Sequence, residues 1–97
     1  MSKKKVIVQI SDTHLFGDTN KELNGANSYS NLSRVLSYIQ TKLEKIDLII
    51  CTGDLSQDCT PDSYKHLANL LNGTNINYHL IPGNHDDVDM INKVFDF

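Results

Sequence analysis

Long apolar runs and basic clusters are both scarce in this sequence, and their scarcity excludes whole classes of protein. The first apolar run, residues 6–10, is interrupted by Gln9 and is too short for the core of a signal peptide. No segment approaches the roughly 20 apolar residues of a membrane span. A formal net charge of −3 at pH 7, with three consecutive lysines as the longest basic run, argues against nucleic-acid and membrane partners. We therefore expect a soluble, cytoplasmic protein.

Cysteines and nucleotide-binding motifs are also rare or missing. The chain has two cysteines whose spacing is not that of a disulfide framework, and this usage is typical of a reducing compartment. We interpret Cys51 as a small buried residue rather than a nucleophile, because the pattern places no base beside it. Neither a GxxxxGK[ST] loop nor a GxGxxG fingerprint occurs, so kinase-like and dinucleotide-binding functions lack their basic motif.

What the sequence does contain is a regular alternation of short apolar runs and amphipathic segments. A chain of 97 residues is at most one small domain. We predict strands at residues 6–10, 47–51 and 78–81, a loop at 16–27, and helices at 28–45, 61–72 and 87–97. This βαβαβα order predicts an α/β fold with a mostly parallel sheet, right-handed crossovers and helices on its faces. We assign to the core the apolar stripe of the first helix, namely Leu32, Val35, Leu36, Ile39, Leu43 and Ile46.

Polar side chains of the metal-ligand type follow each predicted strand. The first strand leads into Asp12 and His14, the second into Asp54, and the third into Asn84 and His85. Because the carboxyl ends of parallel strands lie at one edge of a sheet, we expect these three clusters to meet. Carboxylate, imidazole and amide oxygen ligands together suit Mn, Fe or Zn better than Ca or Mg.

Residue spacing and glycine turns are expected to direct these side chains toward one point. Asp12 and His14 are two positions apart, so an extended backbone would point both the same way and let them share one ion. Gly53 and Gly83 permit sharp turns that bring the ligand after each of them toward the same point. Asp86 is expected to cap the helix that follows, where a carboxylate accepts hydrogen bonds from free backbone amides.

These blocks together resemble the first three signature motifs of the calcineurin-like metallophosphoesterases. The matching residues are Asp12-x-His14, Gly53-Asp54 and Gly83-Asn84-His85-Asp86. The resemblance is closest to the bacterial 3',5'-cyclic-AMP phosphodiesterases of the Icc or CpdA type, in the order and spacing of ISDTHLF, NGANSYSNL, DLIICTGDLSQD, SYKHLANLL and YHLIPGNHD. It extends over residues 6–86 and implies an αββα sandwich that holds two metal ions, of which this chain would form the N-terminal βαβαβα half.

The resemblance also implies a role for each matching residue. Asp12 and His14 would bind the first metal, Asp54 would bridge both, Asn84 would bind the second, and His85 would act on the substrate. Two such ions activate a shared water and stabilise the entering and leaving oxygens of an in-line displacement. Histidine exchanges protons near neutral pH, which suits His85 to donate a proton to the departing ribose oxygen or to stabilise its developing charge. The implied reaction is hydrolysis of 3',5'-cyclic AMP, a small-molecule phosphodiester, to AMP.

The resemblance is incomplete, because complete members carry further histidines in a G-H block and a G-H-x-H block. The remaining histidines here, His66 and His79, lie in a helix pattern and a strand pattern without that glycine context. We therefore expect residues 1–97 to be the N-terminal part of a single metallophosphoesterase domain, with an incomplete metal pair. Exposed sheet edges and apolar faces would then favour self-association into a homo-oligomer.

Two alternatives remain open at this point. A non-catalytic binding or assembly module would also explain the missing histidines, and other phosphodiesters or nucleotides stay possible as substrates. Ordinary structural roles, as solvated or locally hydrogen-bonded side chains, are expected for four polar residues outside the three blocks: Asp18, Asp58, His66 and His79.

Overall fold

The computed structural model describes residues 4–95, and its elements follow the predicted βαβαβα order. Within these residues the strands and helices are β1 (Ile7–Ser11), α1 (Ser28–Lys42), β2 (Leu48–Gly53), α2 (Pro61–Asn72), β3 (Tyr78–Pro82) and α3 (Val88–Phe95). The predicted α2 is confirmed at both ends, whereas α1 ends before the predicted residue 45. The final two residues of the predicted third helix, 96 and 97, lie outside the described residues.

The three strands form one parallel sheet in the order β1-β2-β3, which confirms the predicted fold class. The register pairs Ser11 with Thr52 at the end of β1, and Gly53 with Pro82 at the end of β3. The three strands therefore end at the same edge of the sheet. The segments that follow them leave this edge side by side.

The hydrophobic core lies on one face of the sheet. In register, Ile10, Cys51 and Leu80 point to this face, where α1, α2 and α3 contribute their buried side chains. Helices α1 and α2 share a side because β1, β2 and β3 follow one another across the sheet in one direction, and crossovers of the same hand then place their helices on one side. On the opposite face Ile7 is 57% exposed and Ile81 is 56% exposed.

The apolar stripe of α1 is only partly in the core. Leu32 and Leu36 are buried, but Val35 is 43% exposed and Leu43 is 37% exposed, so the prediction that the whole stripe is buried is wrong. The helix ends before Leu43, which takes an extended conformation and leaves the helix axis. The stripe is wider than the surface that the sheet and α2 cover.

Side chains from the preceding turns cap the helices. Asn27 accepts a hydrogen bond from the Ser30 amide at the start of α1, and Thr60 accepts one from the Ser63 amide at the start of α2. The third helix has a comparable cap, because the Met90 amide donates to the Asp87 carboxylate over 3.1 Å. Asp87 rather than Asp86 therefore caps α3, and the prediction for Asp86 is wrong.

Among residues 4–95, no helix combines the length and the apolar character needed to cross a membrane.

Candidate metal centre

The segment after β1 carries Asp12 and His14 in an unexpected backbone conformation. Both residues have positive φ, 57° for Asp12 and 45° for His14, so they are not extended as the sequence argument assumed. The conformation is held by hydrogen bonds to the end of β2 and to the residue that follows it: the Asp12 amide donates to the Thr52 carbonyl over 2.8 Å, and the His14 amide to the Asp54 carbonyl over 3.1 Å. Positive φ is strained for residues with a side chain, and such strain concentrates at functional sites.

Despite this different backbone, the side chains of Asp12, His14 and Asp54 come together in an arrangement that could hold a metal ion. One ligand atom from each of Asp12, His14 and Asp54 lies within 4.8 Å of the others. The Asp12 carboxylate accepts a hydrogen bond of 3.1 Å from the Asp54 amide, and His14 Nε2 lies 3.8 Å from Asp12 Oδ1. Two carboxylates and one imidazole could hold a divalent transition metal and would leave coordination positions open for further ligands.

Two glycines make room for this cluster in different ways. Gly53 has a φ of 76°, and a Cβ atom there would also lie 2.8 Å from the Cγ atom of Asp12. Gly83 has no positive φ, but a Cβ atom there would lie 3.0 Å from the Asp54 amide and would contact the Asp54 carboxylate. Gly53 thus supplies the predicted sharp turn, whereas Gly83 permits the close approach of two loops.

The turn after β3 brings Asn84 and His85 beside Asp54. The Asp86 amide donates to the Gly83 carbonyl over 3.2 Å and closes this turn. The His85 amide donates to Asp54 Oδ1 over 3.4 Å. Asn84 lies between Gly83 and His85, both of which contact Asp54, and its side chain is exposed. The turn therefore brings the backbone on either side of Asn84 against Asp54.

Gln57, which the sequence argument did not single out, contacts both imidazoles of the site. Its side-chain oxygen accepts a hydrogen bond from His14 Nδ1 over 2.9 Å. Its backbone carbonyl accepts one from His85 Nε2, also over 2.9 Å. The only sequence signal for this residue is its place in the block GDLSQD, three positions after Asp54.

The carboxylate of Asp86 joins the segments that follow β2 and β3. It accepts hydrogen bonds from the Leu55 amide (2.9 Å), the Ser56 amide (3.0 Å) and the Gly83 amide (2.9 Å). The Tyr64 hydroxyl donates to the same carboxylate over 3.0 Å. Burial raises the pKa of Tyr64, and the adjacent Asp86 raises it further, so the phenol keeps its proton and remains a donor.

The four polar residues outside the cluster are either hydrogen-bonded or exposed, but the contacts of His66 and Asp58 with Gly17 join segments more than 40 positions apart and are not local as predicted. His66 Nε2 lies 2.9 Å from the Gly17 carbonyl, the Asp58 carboxylate accepts from the Gly17 amide over 3.0 Å, and Asp18 accepts from the Asn20 amide over 2.8 Å. His79 lies exposed on β3. None of these contacts reaches the metal-ligand cluster.

The interpretation of Cys51 as a buried residue is confirmed. The side chain is fully buried in the core, and burial raises the pKa of its thiol to about 11. The thiol is therefore neutral at physiological pH, which makes it a poor nucleophile.

A cavity opens beside the cluster, between the end of β1 and the first half of α1. Its volume is about 270 Å³, and Asp12 and His14 form part of its wall. Apolar side chains of Leu23, Ala26 and Val35 form another part. The cavity thus combines a polar end at the cluster with an apolar side.

Comparison with known proteins gives one consistent family. The family model described as calcineurin-like phosphoesterase matches residues 5–97. A similar curated protein is a 3',5'-cyclic-nucleotide phosphodiesterase from Nostoc sp., which is 35% identical over 91% of this chain and 33% of its own length. Another is a probable cyclic nucleotide phosphodiesterase from Coxiella burnetii, which is 41% identical over 91% of this chain and 34% of its own length. The 3',5'-cyclic adenosine monophosphate phosphodiesterase CpdA of Escherichia coli K12 is 39% identical over 82% of this chain and 29% of its own length. The chain spans about a third of the length of these relatives.

Proposed function

Because the chain belongs to the calcineurin-like phosphoesterase family, we propose that it forms part of the active site of a metal-dependent phosphodiesterase that hydrolyses 3',5'-cyclic AMP to AMP. The observation that carries this proposal is the cluster of Asp12, His14 and Asp54 at the carboxyl edge of the sheet. The names of the similar proteins point to a cyclic nucleotide as the substrate class. In this proposal residues 1–97 are the N-terminal part of a single metallophosphoesterase domain.

The proposed centre holds two divalent ions, drawn from Mn, Fe and Zn. Asp12 and His14 would hold the first ion, Asp54 would bridge, and Asn84 would hold the second. The contacts around Asp54 support the bridging role. A ligand atom of Asp12 lies within 4.8 Å of a carboxylate oxygen of Asp54, and the turn that carries Asn84 packs against the Asp54 carboxylate. When bound, such a pair supplies an activated water and neutralises charge on the phosphoryl oxygens.

His85 is the proposed proton donor to the leaving ribose oxygen. Its ring is exposed, and its Nε2 hydrogen bonds to the Gln57 carbonyl, so Nδ1 is the ring atom left for proton transfer. A doubly protonated ring would donate from Nδ1 and keep its hydrogen bond through Nε2. The ring orientation would then stay unchanged while the proton moves. The cavity beside Asp12 and His14 offers a mixed polar and apolar surface for the nucleoside part of the substrate.

We also propose a cytoplasmic location for the enzyme. Cys51 and Cys59 are both free thiols. Free thiols without a disulfide framework suit a reducing compartment.

The first test follows the appearance of AMP from 3',5'-cyclic AMP by chromatography, using the full-length gene product that contains this sequence, with added Mn²⁺. We expect metal-dependent hydrolysis that falls about 10²- to 10⁴-fold in His85→Ala, because a positioned general acid contributes that much. His79→Ala removes an exposed histidine of the neighbouring strand and should leave the rate unchanged. Asp54→Asn should weaken Mn²⁺ binding, whereas Asp62→Asn, at the exposed start of α2, should not.

Three results would contradict all or part of the proposal. Equal rates for His85→Ala and His79→Ala would remove the role of His85. Tight Mn²⁺ binding without turnover of either cyclic AMP or bis(p-nitrophenyl) phosphate would instead favour the non-catalytic binding module. Turnover of bis(p-nitrophenyl) phosphate but not of cyclic AMP would keep the phosphodiesterase and refute the cyclic-nucleotide substrate.

A further inference from the structure

The backbone of Gln57 is fixed to the segment that carries His14. The Gln57 amide donates to the Leu15 carbonyl over 2.8 Å, and Leu15 and Ser56 form an isolated parallel bridge. Leu15 is fully buried in the core. Gln57 therefore has a defined position relative to His14, which directly precedes Leu15, and is not a freely moving loop residue.

The two hydrogen bonds that Gln57 accepts determine where two imidazole rings carry their protons. An amide or carbonyl oxygen accepts but cannot donate, so the ring atom that faces it must carry a hydrogen. His14 is thereby protonated on Nδ1, opposite Gln57 Oε1. His85 is protonated on Nε2, opposite the Gln57 carbonyl. The same residue thus sets opposite tautomers in the two rings.

The tautomer of His14 is the one that a metal site at the cluster requires. With Nδ1 protonated, the lone pair lies on Nε2, which is the ring atom 3.8 Å from Asp12 Oδ1. The partner that holds a metal-ligating histidine in the correct tautomer is commonly a carboxylate or a carbonyl. A glutamine side chain does the same without adding a third negative charge beside Asp12 and Asp54.

We propose that Gln57 is a positioning residue for both histidines: its side chain holds His14 in the Nδ1-protonated form that leaves Nε2 free for a metal, and its backbone carbonyl orients the ring of His85. The part that concerns His85 rests on the proposed function. The part that concerns His14 requires only that the cluster binds a metal.

The test measures the tautomers directly, by ¹⁵N NMR of the imidazole rings in the metal-free, full-length gene product that contains this sequence, at a pH where they are neutral. Gln57→Leu removes the acceptor at similar size, Gln57→Glu retains one, and Gln40→Leu is a matched control on α1. We expect the Nδ1-protonated form of His14 to dominate in the unmodified chain, in Gln57→Glu and in Gln40→Leu, and to lose its dominance in Gln57→Leu. The His85 tautomer should persist in Gln57→Leu, because that substitution keeps the backbone carbonyl.

The second readout is Mn²⁺ affinity, measured by calorimetry on the same variants. We expect Gln57→Leu to weaken binding about 10- to 100-fold, the usual effect of losing such a partner. Gln57→Glu should restore most of that loss, and Gln40→Leu should bind normally. An unchanged His14 tautomer in Gln57→Leu would overturn the proposal, as would equal weakening by Gln57→Leu and Gln57→Glu.

The two proposals fail in distinguishable ways. If His14 changes tautomer in Gln57→Leu while the full-length product hydrolyses no phosphodiester, the positioning role stands and the proposed function falls. If His85 changes together with His14, the substitution has disrupted the loop itself, and the separate roles of side chain and carbonyl are refuted.

Discussion

At the scale of single residues, Asp86 is the side chain that ties the two ligand-bearing loops together. Its carboxylate accepts from the Leu55, Ser56 and Gly83 amides and from the Tyr64 hydroxyl. We expect Asp86→Asn to lower the free energy of unfolding by about 1–3 kcal/mol. The NH₂ group of the new asparagine cannot accept hydrogen bonds, so some of the donors that contact the Asp86 carboxylate would lose their acceptor. Urea denaturation measures this loss.

The matched control is Asp18→Asn. Asp18 accepts from the Asn20 amide, and an asparagine side chain keeps that acceptor oxygen. Its effect should stay within about 0.5 kcal/mol. Equal stability for Asp86→Asn and the unmodified chain would show that the hydrogen bonds to Asp86 contribute little.

The meeting of three side chains from different segments was predictable, but their backbone geometry was not. The order of Asp12, His14 and Asp54 after consecutive parallel strands predicted that they would meet, and they do. The positive φ of Asp12 and His14 was not predictable, because it depends on hydrogen bonds to residues about 40 positions later. Asp86 and Asp87 are adjacent carboxylates, and the sequence holds nothing that decides which one caps α3.

At the scale of elements, the predicted loop at residues 16–27 is anchored at Gly17 to α2 and to the segment that precedes α2. The Asp58 carboxylate accepts from the Gly17 amide, and His66 lies at hydrogen-bonding distance from the Gly17 carbonyl. Burial disfavours the charged form of Asp58, but hydrogen bonds from Gly17 and Thr60 outweigh it and hold its pKa below the usual range. The anchor therefore depends on an ionised carboxylate.

This lowered pKa predicts how the anchor responds to acid. The stabilisation is complete above the unfolded pKa of an aspartate, about 3.9, and is lost as the pH falls through the lower folded value. We expect the Gly17 amide chemical shift to change as the pH falls below about pH 4. In Asp58→Asn the shift should no longer follow the pH in this range. A Gly17 shift that titrates equally in both proteins would contradict this anchor.

Element boundaries were predictable where the sequence has explicit start and stop signals. Helix α2 begins after Thr60 with Pro61 in its first turn and is followed by Gly73, and both predicted ends are confirmed. No glycine or proline lies between residues 42 and 47, so nothing in the sequence marks the end of α1. Strand β2 extends to Gly53 because Thr52 and Gly53 pair with β3, a contact that local composition does not indicate.

At the scale of the whole molecule, one face of the sheet lacks a covering layer among the described residues. Ile7 and Ile81 are each more than half exposed on this face. We expect the 97-residue chain to self-associate through it, since exposed apolar surface associates in water. The double substitution of Ile7→Lys and Ile81→Lys should shift sedimentation toward monomer, whereas Val88→Lys, at an equally exposed position on α3, should not. A monomer at all concentrations would refute this expectation.

The consecutive order of the strands also has a consequence for synthesis on the ribosome. Each strand joins the sheet beside the strand made just before it, so the sheet can grow as the nascent chain emerges. Asp12, His14 and Asp54 are all present once β2 and the residue after it have been made. The turn that carries Asn84 and His85 is made later, after α2 and β3. During synthesis, the residues of the first ligand cluster are therefore complete before His85, which is proposed to act on the substrate, has been added to the chain.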